Sequence, residues 1–469
     1  MMGLGWSNFP FPTASMPPSI SGITRSINRC AAKSRISQRV LRTLPVPADI
    51  EVVTDIDRVG ELAPGSVGLT QDDVSAIWSR AEDLYCTGYY PALMLCIRRH
   101  GKIVLNRAIG IARGFGEPGG PEVPEPVSTG TPACLYSASK AITAILIHTL
   151  ADDGHVNLLD PVAHYVPEFA RHGKDRLNIL QVLSHRGGVP GIQSEISLEK
   201  LVHHETLLKL ICEAEPTDIH GRKQAYHAIT GGTILQAILE RVTGRSIRSY
   251  WHDNFKKPMQ FRHFDYGATR KEFALMARDR FAGARVPQPF RTYFRQFLGL
   301  DVEADRDFVN NYAFFSEPVP AGNMIATAEE TSRFFQMLLD DGRYGERQII
   351  SKLAAHRATW ETSPHQLDNT LKVPLRYSAG MMLGGEPFGL FGPHTGNAFG
   401  HLGLINIFAW ADPDRDIAVA LLSTGKPLLA HNAFSLIQLL REINNRIPRR
   451  QRARSGPGLA TSPGLSGNR

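Results

Sequence analysis

The strongest constraint on the fold is where the strand-like segments lie. Residues 91–99 and 102–112 are apolar and β-rich, and the His100-Gly101 turn joins them as a hairpin. Residues 406–411 and 416–423 form a second such pair around Asp412-Pro413-Asp414-Arg415. Between them the apolar spacing is mostly helical, clearest at 137–153, 198–214 and 232–243, and a last helix is expected over 428–443. Strands at both ends of a helical middle predict one antiparallel sheet completed by both termini. The expected class is α/β (α+β): an antiparallel sheet flanked by helices, with sheet parts 69–135 and 325–447 and an inserted, mostly helical part 136–324. Thr70 is placed to cap the first helix, which carries Val74, Ile77, Trp78 and Ala81.

With 469 residues, 42% hydrophobic and 21% charged, the chain can bury a full core, and collagen-like or wholly disordered readings are excluded. No run reaches the ~18 apolar residues of a membrane span. Cys30, Cys86, Cys96, Cys134 and Cys212 are odd in number and scattered, which argues against a disulfide framework or zinc ribbon and makes the cytoplasm, a reducing compartment, the simplest home.

The net charge of +7 comes from the ends. Residues 1–48 hold Arg25, Arg29, Lys33, Arg35, Arg39 and Arg42 without an acid, and the last 24 residues hold six arginines without an acid. Without these twelve the body is net negative, so no specific nucleic-acid binding is expected. Residues 1–68 read as a flexible basic arm, compatible also with an organellar transit peptide, and 448–469 as a disordered basic tail. The oligomeric state is not encoded in any pattern.

Several motifs are decoys. Gly114, Gly116 and Gly119 match a dinucleotide-binding fingerprint, but Pro118 interrupts it and no helix follows to receive a pyrophosphate. His203-His204-Glu205 lacks metal-ligand spacing, and no metal site or cofactor is expected. Gly5-Trp6-Ser7 begins a nucleophile elbow, but Phe9 stands where glycine is needed.

Ser-x-x-Lys occurs three times. Ser197 before Lys200 reads as a helix cap, and Ser423 before Lys426 lies at a strand end. Ser137-Ala-Ser-Lys140 instead starts a long, mostly apolar helix, so Lys140 projects one turn on from the Ser137 hydroxyl. The helix N-terminus favours developing negative charge, and desolvation turns a lysine toward its neutral, basic form.

From these residues onward the sequence resembles the serine β-lactamase and penicillin-binding-protein superfamily. The similarity is to the branch of class C β-lactamases, D-Ala-D-Ala peptidases and family VIII carboxylesterases. It covers residues 70–445 in order: the SASK segment; ILQVLSHRGGVPG with Leu183, His185 and Gly188; Tyr226-His227-Ala228 in the place of Tyr-x-Asn; GNMIATAEETSRFFQMLLDDG; and Gly400-His401-Leu402-Gly403 in the place of Lys-Thr-Gly. The resemblance implies a β-lactamase/transpeptidase-like fold, with Ser137 as nucleophile, Lys140 as its activating partner and Tyr226 as a phenolate-like base. It implies an oxyanion hole from the backbone N–H groups of Ser137 and Leu404, with His401 and Gly403 on the substrate side. His185 is expected to tie a loop through a ring nitrogen.

Two departures bear on substrate. Lys-Thr-Gly lysines hold a substrate carboxylate and Tyr-x-Asn asparagines hold an acylamide chain, and His401 and Ala228 provide neither handle. The expected activity is a serine hydrolase forming an acyl-enzyme, most simply a carboxylesterase on small or medium acyl esters. The alternatives are a β-lactamase or D-Ala-D-Ala-type peptidase, or a catalytically silent scaffold of the same fold. The expected partner is a small ester or amide. The insert 265–321 carries Arg270, Arg278, Arg280, Arg285, Arg291 and Arg295, which are candidates to rim the pocket or bind an anion.

Overall fold

The computed structural model describes residues 42–117, 120–192, 197–288, 291–292, 295, 306–427 and 432–450. The Gly5-Trp6-Ser7 decoy, Gly119, residues 1–41 of the arm and residues 451–469 of the tail lie outside these.

In chain order, the elements that position the site are β1 (Thr54–Ile56), α1 (Gln71–Tyr85), β2 (Ala92–Arg99), β3 (Lys102–Arg113), α2 (Ser139–Asp152), α3 (Thr230–Thr243), β4 (Arg280–Ala282), α4 (Ala328–Leu339), β5 (Glu361–Leu367), β6 (Pro374–Ser378), β7 (Met382–Leu383), β8 (Phe399–Gly403), β9 (Ile407–Asp412), β10 (Ile417–Ser423), β11 (Gly425–Pro427) and α5 (Asn432–Arg446). The large sheet runs β1-β3-β2-β10-β9-β8-β7-β6-β5, all neighbours antiparallel. Its centre is the pairing of β2 with β10, Leu93 opposite Ser423 through Arg99 opposite Ile417, so the two ends of the chain complete one sheet. β2 and β10 are buried along their whole length, as strands covered on both faces must be. α1 and α5 pack together on one face, where Arg80 and Arg446 reach Glu442 and Asp73. α4 covers the other face. The hairpin turn uses positive φ at His100 and Gly101, as tight hairpins of right-twisted strands require.

Local chemistry sets the helix starts. Thr70 and Asp73 form a reciprocal capping box at α1, and Thr327 and Glu330 do the same at α4. The helix expected over 198–214 is broken into Leu198–Val202 and His204–Glu213, because His203 leaves helical geometry and its Nδ1 caps the Thr206 amide.

Three expectations are corrected. The folded body starts well before residue 69: β1 extends the sheet edge with Thr54 opposite Ile109, and Ile50, Val53 and Val67 are buried. Past the expected boundary at 447, the Arg450 amide donates to the Asp414 carbonyl at 2.6 Å and its guanidinium pairs with Asp416, so contacts with the body continue to residue 450. The scattered cysteines argued against a disulfide framework and for a reducing compartment, yet Cys86 is disulfide-bonded, while Cys96, Cys134 and Cys212 are buried free thiols. Cysteine count therefore does not support a reducing compartment. Among the described residues no helix is long and apolar enough to cross a membrane.

Candidate active site

The strand fragment Ala133–Cys134 runs into a 3₁₀ turn, Tyr136–Ala138, that leads directly into α2. Within residues 131–140 every residue is buried except Ser137. Lys140, in the first turn of α2, places Nζ 3.1 Å from Ser137 Oγ and 2.8 Å from the Ala321 carbonyl. Burial pushes this amine well below the ordinary lysine range. A neutral amine can donate to Ala321 and still offer its lone pair to the hydroxyl. The close approach of Ala321 depends on Gly232 in α3, where a Cβ would lie 2.6 Å from the Ala321 nitrogen. Asn323 fixes the same turn, accepting from the Val319 amide at 2.8 Å and donating to the Phe314 and Glu317 carbonyls at 2.7 Å.

Tyr226 enters from the loop before α3. Its ring lies 4.9 Å from Lys140 Nζ, and its hydroxyl is hydrogen-bonded to Ser137. Burial, with the Asp368 carboxylate nearby, pushes the phenol above its ordinary value, which favours its neutral form. The Tyr226 amide donates to Asp368 Oδ1 at 3.1 Å, and Tyr377 donates to Asp368 Oδ2 at 3.2 Å. His185 packs between these two rings, with centroids 4.7 Å from each, and its Nδ1 accepts from the His227 amide at 3.1 Å, the loop-tying role expected for it. Asp368 and Tyr377 escaped the sequence reading. Asp368-Asn369-Thr370 looks like a plain turn, and Asp368 does also accept from the Thr370 and Leu371 amides.

β8 closes the site. His401 is 1% exposed, its Nδ1–H donates to the Leu402 carbonyl at 2.7 Å, and its Nε2 is buried without a partner. The ring centroid is 6.1 Å from that of Tyr226, and burial pushes its pKa down to about 3. His401 is therefore neutral at any pH near 7. A Cβ on Gly403 would lie 2.4 Å from the Leu135 carbonyl, so the end of β8 rests closely on the segment that leads into the Ser137 turn. Ala228, at the Tyr-x-Asn position, is buried in the cluster around Tyr226.

The structure thus brings Ser137, Lys140 and Tyr226 together, with His401 and Gly403 on the neighbouring strand. It leaves the other Ser-x-x-Lys copies outside. Ser197 Oγ accepts from the Lys200 amide at 3.3 Å as a helix cap, and Ser423 Oγ donates to the Asn406 carbonyl at 2.8 Å. The insert's Arg270 lies over Tyr312 and Arg278 over Phe273, at 4.4 and 3.7 Å, so both guanidiniums pack on the insert's own aromatics. Among the described residues no group of three or more His, Cys, Asp or Glu is arranged to hold a metal ion. A separate groove of about 1400 Å³, lined by Leu159, Leu353 and Trp360 among others, includes none of the three assembled residues.

Comparison with known proteins gives the family and the fold. The Mycobacterium tuberculosis protein "Esterase/beta-lactamase LipL" is 28% identical over 312 residues, 63% of this chain and 70% of the relative. A penicillin-binding protein homolog from Caulobacter crescentus superposes with a TM-score of 0.67 at 24% identity, over 81% of this chain and 99% of that one. A family VIII carboxylesterase superposes with a TM-score of 0.66 at 21% identity, over 80% and 98%. The sequence profile described as Beta-lactamase matches residues 81–440, more than half of the chain, and the protein belongs to the beta-lactamase family of serine hydrolases.

Proposed function

We propose that this serine hydrolase is a carboxylesterase acting on small or medium acyl esters, with Ser137 as nucleophile, Lys140 as base and Tyr226 as proton relay. The observation that carries the ester reading is His401. Where a lactamase presents a lysine to a substrate carboxylate, this chain presents a buried, neutral imidazole whose Nδ1–H is already used by the Leu402 carbonyl. A neutral imidazole does not hold an anion as an ammonium does, so an uncharged ester suits the site better.

The 3.1 Å separation supports the first step, in which neutral Lys140 takes the Ser137 proton as Oγ attacks the ester carbonyl carbon. The oxyanion that forms would be held by the backbone N–H groups of Ser137 and Leu404. Collapse expels the alkoxide, which takes the proton of the Tyr226 hydroxyl while Tyr226 is reprotonated from Lys140. This leaves an acyl-enzyme on Ser137. Water then attacks the acyl carbon, giving up its proton along the same relay, and Ser137 Oγ leaves with a proton from it.

Parallel assays with p-nitrophenyl butyrate and a chromogenic cephalosporin test the reading. Ester turnover with weak or no cephalosporin turnover is expected. Cephalosporin turnover at ~10⁴ M⁻¹s⁻¹ or more, within the ordinary enzyme range, without ester hydrolysis would overturn it. The relative named both esterase and β-lactamase makes the cephalosporin arm essential.

A further inference from the structure

We propose that Asp279 and Lys426, through Tyr136, are positioning residues that hold the Ser137 turn in its reactive geometry. The inference rests on Ser137 being the nucleophile. Tyr136 immediately precedes Ser137 and has φ +46°, in the left-handed region that bulky L-residues rarely adopt. Such a conformation persists only where the surroundings enforce it. Here the Tyr136 hydroxyl donates to Asp279 Oδ2 at 2.6 Å, across 143 residues of sequence. Lys426 Nζ pairs with Asp279 Oδ1 at 2.8 Å, donates to the Ser423 carbonyl at 2.8 Å and lies 5.1 Å from the Tyr136 ring centroid.

All three side chains are buried: Lys426 is 0% exposed and Tyr136 4%. A buried charge pair of this kind is sensitive to loss of either partner, because the survivor is left uncompensated. The pair is assembled by tertiary structure alone. β4, in the insert, lies parallel to β11 with Phe281 opposite Lys426, which brings Asp279 alongside. Asn310 secures Asp279 from the other side, accepting from its amide at 2.9 Å and donating to its carbonyl at 2.8 Å. The third Ser-x-x-Lys copy, set aside as a nucleophile, thus contributes its lysine to the support of the first. The insert 265–321 likewise acquires a role: it delivers the carboxylate that fixes the residue before the nucleophile.

The test uses the full chain with Tyr136→Phe, which removes only the hydroxyl, and Asp279→Asn as a second variant that keeps an acceptor but loses the charge. Four quantities are measured: kcat and KM on p-nitrophenyl butyrate, the rate of fluorophosphonate labelling with the labelled serine mapped by mass spectrometry, and the thermal midpoint. Small misplacements of a reacting group are expensive in rate, so kcat and labelling rate are expected to fall together by ~10-fold or more in Tyr136→Phe, with KM within ~2-fold and the label still on Ser137. Asp279→Asn is expected to show a smaller loss of the same kind. Wild-type kcat and labelling rate in Tyr136→Phe, with only a lower thermal midpoint, would show that the cluster merely stabilises the fold and would overturn the proposal. A wild-type enzyme labelled on a serine other than Ser137 would overturn the assignment of the nucleophile, and this inference with it.

Discussion

The backbone amide of Tyr226 donates to the carboxylate of Asp368 at 3.1 Å, although 142 residues separate them in sequence. Asp368 is fully buried, and its two oxygens also take the Thr370 and Leu371 amides and the Tyr377 hydroxyl. The loop between β5 and β6 therefore sets the height of the proposed relay tyrosine above Ser137.

Asp368→Ala leaves those donors without an acceptor. Each buried, unsatisfied group costs ~1–3 kcal/mol, so a loss of at least ~2 kcal/mol in unfolding free energy is expected together with a fall in kcat. Asp368→Asn retains an acceptor oxygen and is expected to lose less of both. Urea titration and ester kinetics on the two variants check this; equal behaviour of Ala and wild type would contradict it.

Lys140 must be unprotonated to act as a base. Its amine is held well below the ordinary lysine range by burial, so kcat/KM for a neutral ester is expected to rise with pH along an acid limb and then level off. Lys140→Met is expected to lower kcat by ~10²-fold or more, and Lys140→Arg to fail equally, because a guanidinium does not deprotonate. A pH–rate profile with wild-type activity in Lys140→Arg would exclude lysine as the base.

Four imidazoles make the fold acid-sensitive. Burial pushes His148 and His227 down to about 4 and His401 to about 3, and holds His185 well below its ordinary value. In the unfolded chain each takes a proton as pH falls through ~6.5, whereas in the folded chain each stays neutral. The unfolded state then binds more protons, so stability falls as pH drops from 6.5 toward 4, by up to ~1.4 kcal/mol per pH unit for each imidazole. Urea midpoints are expected to be markedly lower at pH 5 than at pH 7. Equal midpoints would mean that these rings are protonated or solvated in the native state.

Ser137 and Lys140 were legible in the sequence because their chemistry is local: three residues of helix put the amine beside the hydroxyl. The strand pairs at 91–112 and 406–423 were legible because a sheet covered on both faces leaves continuous apolar runs. Tyr226 and His401 came from resemblance, since no spacing links them to Ser137. What escaped was long-range or depended on burial. β1 has only three residues and no apolar run of its own, so it looked like part of the arm until Thr54 paired with Ile109. Asp368 and Asp279 belong to no motif, and only the fold places them against Tyr226 and against Tyr136 in the Ser137 turn. The upward shift of the Tyr226 phenol follows chiefly from desolvation, which no motif carries.

The central claim, that Ser137 is the nucleophile, is tested most directly by fluorophosphonate labelling of the wild type and of Ser137→Ala, Ser197→Ala and Ser423→Ala, with the adduct mapped by mass spectrometry. The account predicts a single adduct on Ser137, none in Ser137→Ala, and labelling near wild type in the other two. Loss of labelling in Ser197→Ala or Ser423→Ala with the fold intact by circular dichroism, or an adduct that persists in Ser137→Ala, would contradict it.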